Sequence, residues 1–248
     1  MEERVAIVTG ASSGIGAATA RLLGERGLTA ALVGRSRQRL EAVAGGISGA
    51  LCMTADLADP AAPQAIVDEV LERADRLDVV VNCAADFRLR PFGDFTLDDL
   101  EAMWAVNVRA PVLLVQAALP ALRRSPAAAI VNVSSAAAVM YRRGQAGYAL
   151  TKAALEHLTK QLAAELAPDR IRVNAIRPGP IDTPLHRATA DPEARLRELG
   201  RLTPLGRVGR PDEIAWWIGA LIDPQAEWVT GAVLAVDGGR ILGSPEPP

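Results

Sequence analysis

Val5-Ala6-Ile7-Val8-Thr9-Gly10-Ala11-Ser12-Ser13-Gly14-Ile15-Gly16 is the stretch on which the reading of the fold turns. A short apolar run, Val5–Thr9, enters a glycine-rich turn, and an amphipathic segment, Ile15–Arg26, leaves it. The run is continuously apolar rather than alternating, as a strand covered on both faces requires. Gly27 supplies a C-terminal stop for the helix. Outward from this unit the pattern repeats. Further strand candidates are Thr29–Gly34, Ala50–Ala55, Asp78–Cys83, Ala129–Ser134, Arg170–Ile176 and Val233–Val236. Between them lie helix candidates at Arg37–Ala44, Pro60–Arg73, Leu97–Leu122, Gly147–Leu166 and Asp212–Ile222, with Thr96 and Asp212 placed as cap or first-turn residues. Repeated strand–helix–strand units imply right-handed crossovers. The expected architecture is α/β: a single doubly wound, Rossmann-like domain over residues 1–248, its mostly parallel seven-stranded sheet covered by helices on both faces. Residues 181–210 carry Pro184, Pro192 and Pro204 and read as a mobile substrate lid. The tail, 243–248, reads as frayed.

Composition narrows the function. Half of the 248 residues are apolar, and the net charge is −2, a balance that favours neither nucleic acid nor a membrane surface. Cys52 and Cys83 lie in strand-like runs and are expected as buried free thiols rather than a disulfide. His157 and His186 lack partners at metal-ligand spacing, so no metal site is expected. Met1-Glu2-Glu3-Arg4 lacks the layout of a secretory leader. No run approaches the roughly 18 uninterrupted apolar residues of a membrane span. The expectation is a cytoplasmic protein.

Two features carry chemistry. The glycines of the first turn let the backbone approach an anion, and the free N–H groups of the helix start, with the positive end of its dipole, hold a phosphate. Tyr148 and Lys152 stand four apart on one helix face. With two tyrosines and two lysines in the chain, random placement gives about 0.016 such pairs. A free tyrosine titrates near pH 10, too high for efficient proton exchange at neutral pH. An ammonium about 4 Å away contributes roughly 4 kcal/mol at an effective dielectric of 20, or about three pKa units. The spacing therefore predicts an acidified phenol that exchanges a proton with a carbonyl or an alcohol. No histidine stands where a serine triad would need one.

The glycine spacing, together with Asp56-Leu57, Asn82-Cys83-Ala84-Ala85, Asn107, Ser135, Tyr148 with Lys152, Pro178-Gly179 with Thr183, and Asp237-Gly238-Gly239, resembles the short-chain dehydrogenase/reductase family over nearly the whole chain. The resemblance implies a catalytic set of Asn107, Ser135, Tyr148 and Lys152. Ser135 would hold the substrate oxygen, with Ser134 as the alternative. Lys152 would also bond the nicotinamide ribose. Asn107 would bind a water in a proton relay toward Lys152, or be a satisfied buried amide. The dinucleotide would contact Gly10, Ser12, Ser13, Gly14, Ile15, Gly16, Asp56, Leu57, Asn82, Ala84, Tyr148, Lys152, Pro178, Gly179, Ile181 and Thr183. By the same resemblance Gly34 occupies the position of the acid that selects NAD, and Arg35, with Ser36, is placed to bind the extra phosphate of NADP. Arg37 and Arg39 add to the field. The fourth-strand motif departs from the family's Asn-Asn-Ala-Gly at Cys83 and Ala85.

The resemblance implies an NADP(H)-dependent oxidoreductase, most simply one that reduces a 3-oxoacyl-like or other small ketone. The alternatives are an alcohol, polyol or steroid dehydrogenase working toward oxidation, and a non-catalytic NADP-binding regulatory protein. Asp86-Phe87, Ala136–Gln145 and residues 181–210 would line the substrate pocket. Arg88, Arg90, Arg142 and Arg143 form either a solvated rim or one suited to an acidic substrate or acyl-carrier partner. A homo-oligomer, tetramer or dimer, is implied by the family alone.

Overall fold

The structure is a computed structural model that describes residues 4–243. The expected frayed tail therefore lies, apart from Gly243, outside the described residues. Seven parallel strands form one sheet: β1 Val5–Thr9, β2 Thr29–Gly34, β3 Leu51–Thr54, β4 Val79–Asn82, β5 Ala129–Val133, β6 Arg172–Pro178 and β7 Val233–Val236. Their order is β3-β2-β1-β4-β5-β6-β7. The order reverses between β1 and β4, which opens the crevice where ligands of such sheets bind.

The continuous apolar runs have a direct structural cause. Along β1, Val5 and Ile7 pack into one core layer and Ala6 and Val8 into the other. The first layer lies beneath α3 (Ala62–Ala74), α5 (Ala110–Leu122) and α6 (Ala146–Leu166); the second lies beneath α1 (Gly14–Glu25), α2 (Arg37–Ala44) and α9 (Pro211–Leu221). Both faces are covered, so neither register of a strand needs polar residues.

One helix differs from expectation. The single helix read at Leu97–Leu122 is three pieces: α4 (Leu97–Trp104), a π-helical turn (Ala105–Arg109) and α5. Thr96 caps α4 in a reciprocal box with Asp99. The run Leu97–Leu122 is long and apolar enough to cross a bilayer by length and composition, but over half of its most apolar window is buried within the protein. Residues 181–210, read as a lid, carry two helices, α7 (Pro184–Arg187) and α8 (Pro192–Arg201), separated and followed by turns and coil. Asp191 caps α8, its side chain accepting from Ala194 N at 2.9 Å, ahead of Pro192. This Asp-Pro start is a helix signal that the prolines had masked.

At the opposite end of the sheet, Asp78 ties the starts of three strands. Its carboxylate accepts from Val5 N at 2.8 Å, from Arg76 Nε at 2.9 Å and from Ser125 Oγ at 2.6 Å. Its backbone bridges Val5 and Ala129. Cys52 and Cys83 are free thiols, as expected, but both are partly rather than fully buried.

Candidate active site

The glycine turn is built for close approach. Gly10 and Gly14 adopt φ of +68° and +53°, conformations that disfavour a side chain. A Cβ on Gly16 would stand 2.4 Å from Gly10 O, and one on Gly10 would stand 2.9 Å from the Ala84 backbone. The turn after β1 thus touches the exit of β4 at the switch point. Ser13 precedes α1 without a side-chain cap bond, and the first turn of α1 holds no acidic residue. Among the described residues its leading N–H groups are therefore open to an anion. Ser12 backs onto Gly34 and Ile15 onto the core. Thr183, which precedes α7, closes over Gly14. A cleft of about 380 Å³ is lined by Ser12, Ser13, Gly14, Arg21, Thr183 and Arg187, among others.

The departure at Cys83 is bridged by Thr9. Its hydroxyl donates to Val81 O at 3.3 Å and accepts from Cys83 N at 3.0 Å and Ala84 N at 3.1 Å. The β4 exit is held from β1, without an amide at position 83. Burial pushes the Cys83 thiol up to about 12, so it stays protonated. Asn82 is buried and committed inward: its Nδ2 donates to Asn132 Oδ1 at 2.8 Å, and Asn132 Nδ2 donates to Thr159 Oγ1 at 2.9 Å.

Arg35 is exposed at the end of β2, next to the turn, and forms no ion pair among the described residues. Ser36 caps α2, accepting from Arg39 N at 3.4 Å, and Arg37 is paired with Glu41 at 2.8 Å. Asp56 is exposed in a turn, accepting from Ala58 N at 3.0 Å, whereas the Leu57 side chain enters the core. Pro178 ends β6. Gly179 lies so close to Asp237 that a Cβ would stand 2.7 Å from its backbone, and Ile181 bridges to Gly209. The residues around the crevice fit a dinucleotide phosphate in the glycine turn.

Tyr148 and Lys152 are both buried on α6, at the C-terminal ends of the strands. The two adjacent serines divide. The Ser135 hydroxyl favours the Tyr148 phenolate, and Ser135 starts the 3₁₀ turn Ala136–Ala138, its Oγ accepting from Ala137 N at 3.2 Å. Ser134 turns away and donates to Glu156 Oε1 at 2.7 Å. Glu156 in turn is clamped by Arg177 at 2.8 and 2.6 Å. The Tyr148 ring packs edge-on against Phe87, with centroids 4.9 Å apart. Gly147 makes room for Phe95 and Met103, whose atoms a Cβ there would meet at 2.4 and 2.7 Å.

The acidified phenol expected from spacing is not what this geometry produces. Burial pushes Tyr148 up to about 12, while the Ser135 hydrogen bond pulls in the other direction. Burial also pushes Lys152 down to about 8. The Lys152 ammonium donates to Val133 O at 2.8 Å and sits 5.7 Å from the centroid of the Tyr148 ring. Burial is the largest influence on both groups, raising Tyr148 and lowering Lys152, because both are sealed in the core.

Asn107 lies in the π-helical turn and is fully buried. Its Oδ1 accepts from Asp86 N at 2.8 Å, and its Nδ2 donates to Asp86 O at 2.8 Å and Thr151 Oγ1 at 3.0 Å. The amide thus clamps the segment after β4 onto α6, and its side chain is directed at Asp86 and Thr151 rather than at Lys152. The basic rim also divides. Arg88 pairs with Asp86 at 3.0 Å and Asp99 at 3.2 Å, and Arg90 with Asp99 at 3.2 Å. Arg142 and Arg143 pair with no acidic side chain among the described residues.

A sheet that reverses order beside a phosphate-binding turn, with a buried Tyr–Lys pair at the same edge, defines a nicotinamide-dependent oxidoreductase. Comparison with known proteins makes this specific. A family model described as enoyl-(acyl carrier protein) reductase matches residues 10–240. The 3-oxoacyl-[acyl-carrier-protein] reductase FabG of Thermotoga maritima is 34% identical over 246 residues, covering 98% of this chain and 99% of that protein. D-threitol dehydrogenase of Mycolicibacterium smegmatis is 36% identical over 247 residues, covering 98% and 94%. A short-chain dehydrogenase/reductase from Serratia marcescens is 38% identical and superposes with a TM-score of 0.90, covering 96% of this chain and 98% of that one. The chain belongs to the short-chain dehydrogenase/reductase family, whose members carry out carbonyl and alcohol redox chemistry with a nicotinamide cofactor.

Proposed function

We propose that this protein is an NADP(H)-dependent reductase that converts a ketone, 3-oxoacyl-like or another small one, to a secondary alcohol. The observation that carries the reading is the buried Tyr148–Lys152 pair, one helical turn apart on α6 at the C-terminal ends of the strands, with Tyr148 held in its protonated form. A protonated phenol is the acid that carbonyl reduction needs. The reduced nicotinamide, when bound, supplies the hydride. Ser135 hydrogen-bonds the substrate oxygen and stabilises the charge that develops there. Tyr148 delivers its proton to that oxygen. Lys152 places a positive charge behind the resulting phenolate and orients the ribose. Asn107 fixes Thr151 and the Asp86 loop around them.

On this reading Gly10, Ser12, Ser13, Gly14, Ile15 and Gly16 hold the pyrophosphate, and Arg35 with Ser36 holds the 2′-phosphate. Asp56 and Leu57 border the adenine, Asn82 and Ala84 the ribose, and Pro178, Gly179, Ile181 and Thr183 the carboxamide. The absence of an acid at Gly34 and the unpaired Arg35 support NADP(H) over NAD(H). The FabG relative's name supports a 3-oxoacyl substrate, and the threitol dehydrogenase relative's name supports the oxidative alternative. The complete catalytic set disfavours a purely regulatory role. Exposed Trp228 and Leu242 near the β7 edge support self-association as a dimer or tetramer.

The test is a panel of ketones and alcohols followed at the nicotinamide absorbance with each cofactor. Tyr148→Phe is expected to lower turnover by about 10²–10⁴-fold while NADPH binding, followed by fluorescence, is retained. Undiminished turnover in that variant, or reduction of enoyl substrates with ketones ignored, would overturn the reading.

A further inference from the structure

Tyr148, Lys152 and Glu156 follow one another at four-residue steps along α6, and all three are buried. They therefore share one helix face. Glu156 accepts from two nitrogens of Arg177 on β6, Nε at 2.8 Å and Nη2 at 2.6 Å. The two side chains are only 10% and 15% exposed. The same Oε1 accepts from Ser134 Oγ at 2.7 Å. That hydroxyl also stands 3.4 Å from Lys152 O, and Ser134 N donates to Ile176 O at 2.7 Å. One residue earlier, Val133 O accepts from Lys152 Nζ at 2.8 Å. The end of β5 is thus held by α6 and by β6 immediately before Ser135.

Packing alone does not require this arrangement. Taking two charges out of water is costly, and an apolar pair of similar volume often stabilises a fold as well or better. What the ion pair adds is direction. Hydrogen bonds of 2.6, 2.7 and 2.8 Å converge on one carboxylate, and each fixes an angle as well as a distance. Apolar contacts fix neither. Direction matters at Ser134 because the backbone is still extended at Ser135, and adjacent residues of an extended chain face opposite sides. Holding Ser134 Oγ toward Glu156 turns Ser135 the other way, into the turn Ala136–Ala138, whose Ala137 packs in one cluster with Tyr148 and Met103. Arg177 is followed directly by Pro178-Gly179, so that segment is tied to the same carboxylate.

We propose that Glu156 and Arg177 are positioning residues: acting through Ser134, their ion pair sets the orientation of Ser135 against Tyr148, so that both hydroxyls converge on one substrate oxygen. The substrate oxygen rests on the reductase reading; the placement of Ser135 does not. The test compares Ser134→Ala, Ser134→Thr and the double variant Glu156→Met/Arg177→Met with wild type. Each is followed by kcat and KM on the best ketone of the panel, by NADPH affinity, by urea midpoint and by crystal structure. Ser134→Ala is expected to lower kcat about tenfold or more, with KM and NADPH affinity within about twofold. Ser134→Thr keeps the hydroxyl and should restore most of the loss. The double variant leaves no buried charge alone, so its midpoint should stay near that of wild type while kcat falls as in Ser134→Ala. Ser135 Oγ is expected to move by more than about 0.5 Å relative to Tyr148 Oη in Ser134→Ala and in the double variant. Full kcat in Ser134→Ala or in a stable double variant overturns the role. So does a loss carried by KM or by NADPH affinity, or a Ser135 that has not moved. Should the double variant fail to fold, the two Ser134 variants decide. A wild type that turns over no ketone, with Ser135 displaced in Ser134→Ala, would sink the reductase reading and leave the positioning role standing.

Discussion

At Tyr148 two influences compete: burial, which disfavours the phenolate, and the Ser135 hydroxyl, which favours it. Burial prevails, and the hydroxyl is held up to about 12 while Lys152 is pushed down to about 8. Lys152 is then the group that titrates in the accessible range. Reduction is expected to be flat near neutrality and to fall as pH rises through about 8, where the ammonium loses its proton. A kcat/KM profile from pH 6 to 10 checks this. The same shift has a stability counterpart. The native value of about 8 lies below the ordinary 10.5, so between those values the unfolded chain binds more protons and stability rises with pH. Below about 8 the full cost of burying the charge is present. Lys152→Met is therefore expected to raise stability at pH 7 by about 1–2 kcal/mol in urea unfolding while abolishing turnover. At Arg35, Arg35→Asp is expected to shift the ratio of kcat/KM values toward NAD(H) by at least about tenfold. Unchanged kinetics with both cofactors would remove Arg35 from the cofactor site.

The elements around these residues show what sequence reading reaches. Strand positions were legible because the central strands are covered on both faces, and a continuous apolar run has no other economical explanation. The Tyr148–Lys152 pair was legible because its spacing forces a shared helix face. The electrostatic outcome was not, because an i,i+4 rule carries no information on burial. Sequence favoured Ser135 over Ser134, since adjacent strand residues face opposite sides, but what engages Ser134 instead is visible only once Glu156 and Arg177 are placed beneath it. The π-helical turn at Asn107 was hidden, since an apolar helix pattern continues through it with little change in period. The α7–α8 pair was obscured by its prolines, each of which stands at a helix start. The Glu156–Arg177 clamp yields a prediction of its own. Arg177→Met strands a buried carboxylate and is expected to cost about 3–5 kcal/mol, whereas combining it with Glu156→Met should recover much of the loss. Denaturant midpoints of the single and double variants decide this.

Over the whole molecule the two ends of the sheet have different tasks. Glycine turn, serine and tyrosine lie at the C-terminal ends of the strands. Asp78 gathers the N-terminal ends of β1, β4 and β5 through Val5, Ser125 and Ala129. Burial opposes ionisation of Asp78, but hydrogen bonds from Arg76, Ser125 and Val5 outweigh it and hold the carboxyl below its ordinary 3.8. Its stabilising contribution is present above that ordinary value and is lost as pH falls through the lower native one. Wild type is therefore expected to lose more of its urea midpoint than Asp78→Asn when pH drops from about 5 to about 2. Equal losses would show that Asp78 does not secure the strand ends.

That clamp has an evolutionary corollary. Because the bolt fastening the strands sits at the pole remote from catalysis, loops at the working pole are free to be lengthened, recharged or exchanged with little penalty to assembly. New substrate preferences can then arise by local rewriting of the segments that follow β4, β5 and β6, while the foundation beneath remains untouched.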